Sequence, residues 1–306
     1  MASGPFIEHY EMTRDIDFLR ESAYPFVSEV ARFYASYVVE SGSGRLGLPH
    51  SCAQEFCSAQ GGPGINKPSA WQPQRSPTID LSYARWILNT CAGWAATLGV
   101  DAAEAKHWRE FASRLEDYPL AAWSNATMPK NHPETGDRVL GGCEEVFPWA
   151  AASNCTGFAE STNADTNRSQ FIAANAQWPI ANLAPIHPTG QISLSSDRKT
   201  LLLARNTVWM LNTLTDWRPG NGLCLAWPPA ARLADKHDPY PFATSVLLDN
   251  FEAALHVTMN ANFWPDLAGG GLEQVGATHA VNELLLQSFV SRPICAQKQL
   301  FVFARL

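Results

Sequence analysis

Two loop carboxylates near the C-terminal third of the chain are the first residues whose types and setting suit chemistry. Glu273 lies in Gly269-Gly270-Gly271-Leu272-Glu273-Gln274-Val275-Gly276, directly ahead of a segment with helical periodicity, Thr278–Phe289. Glycines let the backbone turn through positive φ or approach a neighbour closely, and Thr278 is a good helix N-cap type. A carboxylate on such a loop, at the mouth of a helical scaffold, is placed to act as a general base. Asp266, in Asn262-Phe263-Trp264-Pro265-Asp266, is its nearest rival for that role. The plainer reading of either residue is a solvated loop carboxylate. Aromatic content points the same way as the carboxylates. Among eleven tryptophans, Trp71, Trp178, Trp227 and Trp264 lie in or beside loop segments. Most tryptophans of a helical array are core, because each buries a large apolar area. One or two of these four are expected to meet a substrate.

Other chemistries lack support. The formal net charge is −7 and no Lys/Arg-rich run occurs, which disfavours nucleic acid as a partner. There is no zinc-type Cys/His spacing, P-loop or serine elbow, so neither metal nor cofactor is expected. His187 and His279 have no neighbours at metal-ligand spacing, and Cys52 and Cys57 alone make no persuasive site. The seven cysteines fall at irregular spacing, and their odd number leaves at least one thiol without an intrachain partner. No apolar stretch reaches the ~18 residues of a membrane span. Asn125-Ala-Thr, Asn154-Cys-Thr and Asn167-Arg-Ser are N-glycosylation sequons and hint at a secretory protein. Met1–Tyr10 has neither the basic nor the apolar region of a signal peptide, so the compartment stays open.

The elements that must position these groups read as helices. Thr13–Glu40 carries Ile16, Leu19, Val27, Val30, Phe33, Tyr34, Tyr37 and Val38 at helical spacing, and Pro25 is expected to split it. Ile79–Leu98 turns Leu81, Trp86, Ile87, Cys91, Trp94 and Leu98 inward. Asp80 ahead of that apolar run reads as a first-turn charge favouring the helix dipole. Asp101–Leu115 follows after the short Gly99-Val100 link expected between antiparallel neighbours. Further helices are expected at Lys199–Leu214, Ala230–Ala234, Phe242–Asn262 and Thr278–Phe289. Between them, Asp117–Ser196 is rich in Asn, Pro, Gly, Ser and Trp without a sustained period. It is expected to hold short helices and turns that wall one end of the array. The fold class is all-α. Leu300-Phe301-Val302-Phe303 is apolar, yet the pattern offers no sheet for a strand to join.

In order along the chain, four stretches resemble the catalytic domain of glycoside hydrolase family 95, the α-L-fucosidase-like six-hairpin glycosidases. His9-Tyr10-Glu11-Met12-Thr13-Arg14-Asp15-Ile16-Asp17-Phe18-Leu19-Arg20-Glu21-Ser22-Ala23-Tyr24-Pro25 is similar to the family's "HYRFTGDKEFLRERAYP". Pro77-Thr78-Ile79-Asp80-Leu81 resembles "PTMDM", and Asn221-Gly222-Leu223-Cys224-Leu225-Ala226-Trp227 with Ala231-Arg232-Leu233 resembles "TGWSLAW…ARL". Asn282-Glu283-Leu284-Leu285-Leu286-Gln287-Ser288 resembles "AEMLLQS".

The resemblance implies an (α/α)6 six-hairpin toroid that is incomplete here, with residues 1–296 forming a partial catalytic domain and 297–306 a truncated tail. Missing early helices would leave one flank with exposed apolar side chains. It also implies an inverting exo-glycosidase for α-linked fucose or a related sugar, with one carboxyl protonating the leaving oxygen and a second group activating water. Glu55, in Ser51-Cys52-Ala53-Gln54-Glu55, stands where the family has its "SPE" general acid. Glu273 falls near the aspartate of the family's "QIDGN", one residue offset and one methylene longer. The paired asparagines that help position water in the family have no counterpart. The family's "HRHVSH" has no match in the corresponding region, Gln177-Trp178-Pro179-Ile180-Ala181-Asn182-Leu183. Those two departures point to the alternative, a non-catalytic carbohydrate-binding or truncated inactive relative.

Overall fold

The protein is seen in a computed structural model that describes residues 2–49, 51, 74–124, 154–163, 167, 169–170, 180–215, 223–233, 282–283, 286–289 and 299–302. These residues are mostly helical.

The centre of the packing is an antiparallel pair, α4 (Thr78–Leu98) and α5 (Ala102–Arg114). Gly99, at φ 71°, closes α4 in the left-handed conformation that glycine adopts without a Cβ penalty, and its amide returns to the Ala95 carbonyl. Leu81, Ala84, Leu88, Cys91 and Ala95 repeat every three or four residues and are all buried. Trp108 of α5, 1% exposed, is among the largest side chains enclosed.

Against this pair lies the chain from the N-terminus: α1 (Gly4–Thr13), a short turn α2 (Ile16–Phe18), a π-helical turn at Leu19–Ala23, and α3 (Tyr24–Tyr37). Pro25 divides the segment as expected. It sits in the first turn of α3, where a missing N–H costs nothing, and the preceding turn is widened rather than broken. Asp15 caps α2 by accepting the amides of Asp17 and Phe18, both at 3.0 Å. Tyr10 meets Trp94 edge-on with centroids 5.6 Å apart. Two polar contacts tie α3 to α5: the Tyr24 hydroxyl donates to Asp101 at 2.7 Å, and Arg32 grips Glu104 through Nε (3.1 Å) and Nη2 (2.7 Å). On α3, Phe26 is 40% and Phe33 57% exposed, and Phe26 stacks on Phe6 of α1 with centroids 4.9 Å apart.

The structure differs from the sequence reading in several places. Helix α1 precedes the expected start, and Val39–Glu40 is an extended strand, β1, paired with β2 (Leu46–Gly47). The Asp117–Ser196 span contributes strands where short helices were expected: β4 (Leu120–Ser124) pairs antiparallel with β5 (Asn154–Phe158). A second sheet joins β3 (Gln74–Arg75), β6 (Ser161–Asn163) and β7 (Ser169–Gln170). One short helix is there, α6 (Ile180–Leu183). Leu286–Phe289, expected to end a helix, is strand β8 and pairs with β9 (Gln299–Val302), which supplies the apolar terminal run with a partner. The remaining helices are α7 (Arg198–Thr215) and α8 (Leu223–Arg232); the latter begins before the expected Ala230 and accommodates Pro228 and Pro229. The expected helix Phe242–Asn262 lies outside the described residues.

Candidate functional site at the N-terminal end of the central helix

The first turn of α4 gathers buried polar groups from several elements. No side chain caps this helix, since Pro77 holds the N-cap position. The first of its free amides finds a partner outside the helix, one way in which such groups are satisfied. The Thr78 amide donates to the Glu160 carbonyl at 2.8 Å, and the Thr78 hydroxyl donates to the Ala159 carbonyl at 2.6 Å. Those two bonds lock the bend between β5 and β6 over the helix end. Asn182 Nδ2 donates to the Phe158 carbonyl (2.8 Å), Thr207 Oγ1 accepts the Phe158 amide (2.7 Å), and Asn206 Nδ2 donates to the Thr156 carbonyl (3.0 Å). Thr78, Glu160, Ser161, Asn182, Asn206 and Thr207 are all buried. So many enclosed polar side chains cost desolvation, and they form a layer rather than an oily core.

Asp80 faces the other side of this end. The Ser51 hydroxyl donates to its Oδ2, and burial pushes the Asp80 carboxyl above the usual carboxylate range, an effect the Ser51 bond partly opposes. The Ser51 amide also donates to the Gln74 carbonyl at 3.1 Å. Leu48 and Ser76 are tied in the same way: the Ser76 amide donates to the Leu48 carbonyl (3.0 Å), and the Leu48 amide to the Ser76 hydroxyl (3.1 Å). That hydroxyl donates in turn to Glu116 Oε2. Gly47 passes so close that a Cβ there would stand 2.8 Å from Glu116 Oε2 and from Ser76 Oγ. The residues on both sides of 52–73 are thus fastened to each other beside Asp80.

A further network fixes the 184–196 connection to α4. Ser82 and Thr189 share a hydrogen bond of 2.7 Å, Gln191 Nε2 donates to the Ser82 carbonyl at 2.8 Å, and the Tyr118 hydroxyl donates to Gln191 Oε1 at 2.6 Å. Arg85 lies over the Tyr118 ring, 4.8 Å from its centroid, and donates to the Glu116 carbonyl at 2.8 Å. Arg232, the last residue of α8, grips Glu283 with Nε and Nη2, both at 2.8 Å, and its Nη1 donates to the Ile186 carbonyl at 3.0 Å. Two of the motif stretches, around Arg232 and around Glu283, therefore meet through a fork-shaped ion pair.

Of the residues selected from sequence, Glu55, Trp71, Trp178, Trp264, Asp266 and Glu273 lie outside the described residues, and Trp227 lies within α8. Asp80 stands in the first turn of α4, as its place in the sequence suggests, while its bond from Ser51 and the burial of Glu160 and Asn182 have no sequence signal. Asp80 follows a proline-threonine helix start, which gives no sign of enclosure by Ser51. Among the described residues no group of three or more His, Cys, Asp or Glu could hold a metal ion, and no helix is long and apolar enough to cross a membrane.

Residues 2–127 match the family model described as Glycosyl hydrolase family 95 catalytic domain. That stretch carries a domain of this family, which makes it a glycoside hydrolase domain. The match includes Ser51, Glu55, Trp71, Asp80 and Glu116, together with the helices α1 to α5. No curated protein matches the chain.

Proposed function

We propose that the chain is an inverting exo-glycosidase for α-linked fucose or a related sugar, built on an (α/α)6 six-hairpin framework. Glu55 is the general acid, and Glu273, or Asp266 in its place, is the base. The observation that carries this reading is the family match over residues 2–127, which includes Glu55 and the polar end of α4. Glu55 follows Ser51 by four positions, and Ser51 is held by both Asp80 and Gln74. Ser51 and Gln74, the described residues on either side of 52–73, therefore both lie at the polar end of the central helix, where buried hydroxyl, amide and carboxyl groups collect. Inversion requires a water between sugar and base, with the two carboxyl groups ~6.5–9.5 Å apart. Trp71, Trp178, Trp227 and Trp264 supply the stacking faces for the sugar.

A second reading is favoured by one departure from the family pattern. Asn182 falls in the region corresponding to "HRHVSH", and its side-chain amide donates to the Phe158 carbonyl. A chain altered there binds carbohydrate without turning it over. A panel of aryl α-fucosides, α-galactosides, acyl esters and phosphate esters separates the readings. Hydrolysis confined to the glycosides supports the enzyme. Saturable sugar binding with no turnover supports the second reading, and esterase activity alone refutes both.

A further inference from the structure

We propose that Asn167 is an N-glycosylated residue of this protein, carrying an oligosaccharide on Nδ2. Of the three sequons, Asn125 lies outside the described residues, and Asn154 is the first residue of strand β5, paired with Ser124 at the end of a five-pair ladder. Asn167 is different. It occupies the connection between β6, which ends at Asn163, and β7, which begins at Ser169, and both Asn167 and Ser169 are exposed. Its φ of 55° is a left-handed conformation that asparagine tolerates better than most side chains. A bulky, hydrated oligosaccharide needs such an exposed position.

The side chain is also held so that modification disturbs nothing. Arg75 Nη2 donates to Asn167 Oδ1 at 3.0 Å, and Arg75 lies in β3, the strand hydrogen-bonded to β6. Glycosyl transfer takes place at the other atom of the amide. Nδ2 loses one proton and bonds to C1 of the first sugar. The bond from C1 to the pyrophosphate of a lipid-linked oligosaccharide donor breaks, and the lipid pyrophosphate leaves. Oδ1 remains a carbonyl oxygen, so the Arg75 contact survives and keeps the modified residue against the sheet.

The test is made on the complete chain isolated from the cells that produce it. Enzymatic release of an N-glycan converts its asparagine to aspartate, so peptide mass spectrometry reads occupancy directly at position 167. Conversion there is the expected result; an unaltered Asn167 peptide overturns the proposal, whether or not Asn125 or Asn154 is occupied. In a second arm, the chain is produced through a eukaryotic secretory pathway. Asn167→Gln and Ser169→Ala should each lose the mass of one glycan, while Ser169→Thr keeps it. Both sites are exposed, so circular dichroism of the variants should match the parent. A glycan that survives Ser169→Ala at position 167 also overturns the assignment.

Discussion

Removing the Ser51 hydroxyl and removing the Asp80 charge should have unequal consequences, although the two groups share one hydrogen bond. Ser51→Ala strips a donor from a carboxyl that burial already disfavours as an anion. Leaving such an acceptor unsatisfied costs about 1–3 kcal/mol. Asp80→Asn keeps an oxygen that accepts from Ser51 and ends the burial of a charge, so at neutral pH its cost should fall well below that of Ser51→Ala. Sign follows from proton counting. Burial raises the Asp80 pKa above its unfolded value, so the native state binds more protons between the two, and the contribution falls as pH rises. It is fully present below the unfolded carboxylate value of about 3.9 and is lost as pH passes through the raised native value. Urea unfolding from acid to neutral pH checks this. The parent should lose stability over that window relative to Asp80→Asn, and Ser51→Ala should lose more, because the lost bond raises the Asp80 pKa further. If Asp80→Asn costs as much as Ser51→Ala at every pH and leaves the pH slope unchanged, the carboxyl is not enclosed as described.

Trp108→Ala should cost about 3–5 kcal/mol, because the ring is 1% exposed at the centre of the α4–α5 contact, and the urea midpoint of the full chain reads it. Arg232→Met and Glu283→Gln should each cost about 3 kcal/mol by leaving one half-enclosed charge without its fork partner; the double variant should cost less than the sum, and a double-mutant cycle measures the difference. Cys91 should resist thiol reagents in the native protein, because burial pushes its thiol up to about 12; peptide mapping after native labelling should find it unmodified at pH 8 and labelled after unfolding.

Helices whose periodicity is local were legible in the sequence. Leu81 through Ala95 repeat within one element, and Gly99 marks its end, so α4 and the start of α5 fall within a residue or two of expectation. Helix α1 was missed because only Ile7 and Tyr10 of its ten residues are buried, too few for a clear stripe. Strands β4 and β5 were missed because each draws its stability from a partner 30 or more positions away, in the register Leu120↔Phe158 to Ser124↔Asn154. At Leu286–Phe289 the helical spacing of nearby leucines misled, since pairing with Gln299–Val302 overrides local propensity. The site divides along the same line. Motif stretches around Asp80, Arg232 and Glu283 could be seen in the sequence, but not that Arg232 spans to Glu283 and Ile186, or that Ser51 encloses Asp80. Such contacts are set by tertiary packing, and residue type alone carries no sign of them.

The most direct test of the account follows hydrolysis of an aryl α-L-fucoside by proton NMR, with the unaltered chain and with Glu55→Gln. The account predicts that the unaltered chain releases the β-anomer first, as single displacement by water demands, and that Glu55→Gln loses nearly all turnover while its urea midpoint stays in place. Release of the α-anomer, or full turnover by Glu55→Gln, would contradict it.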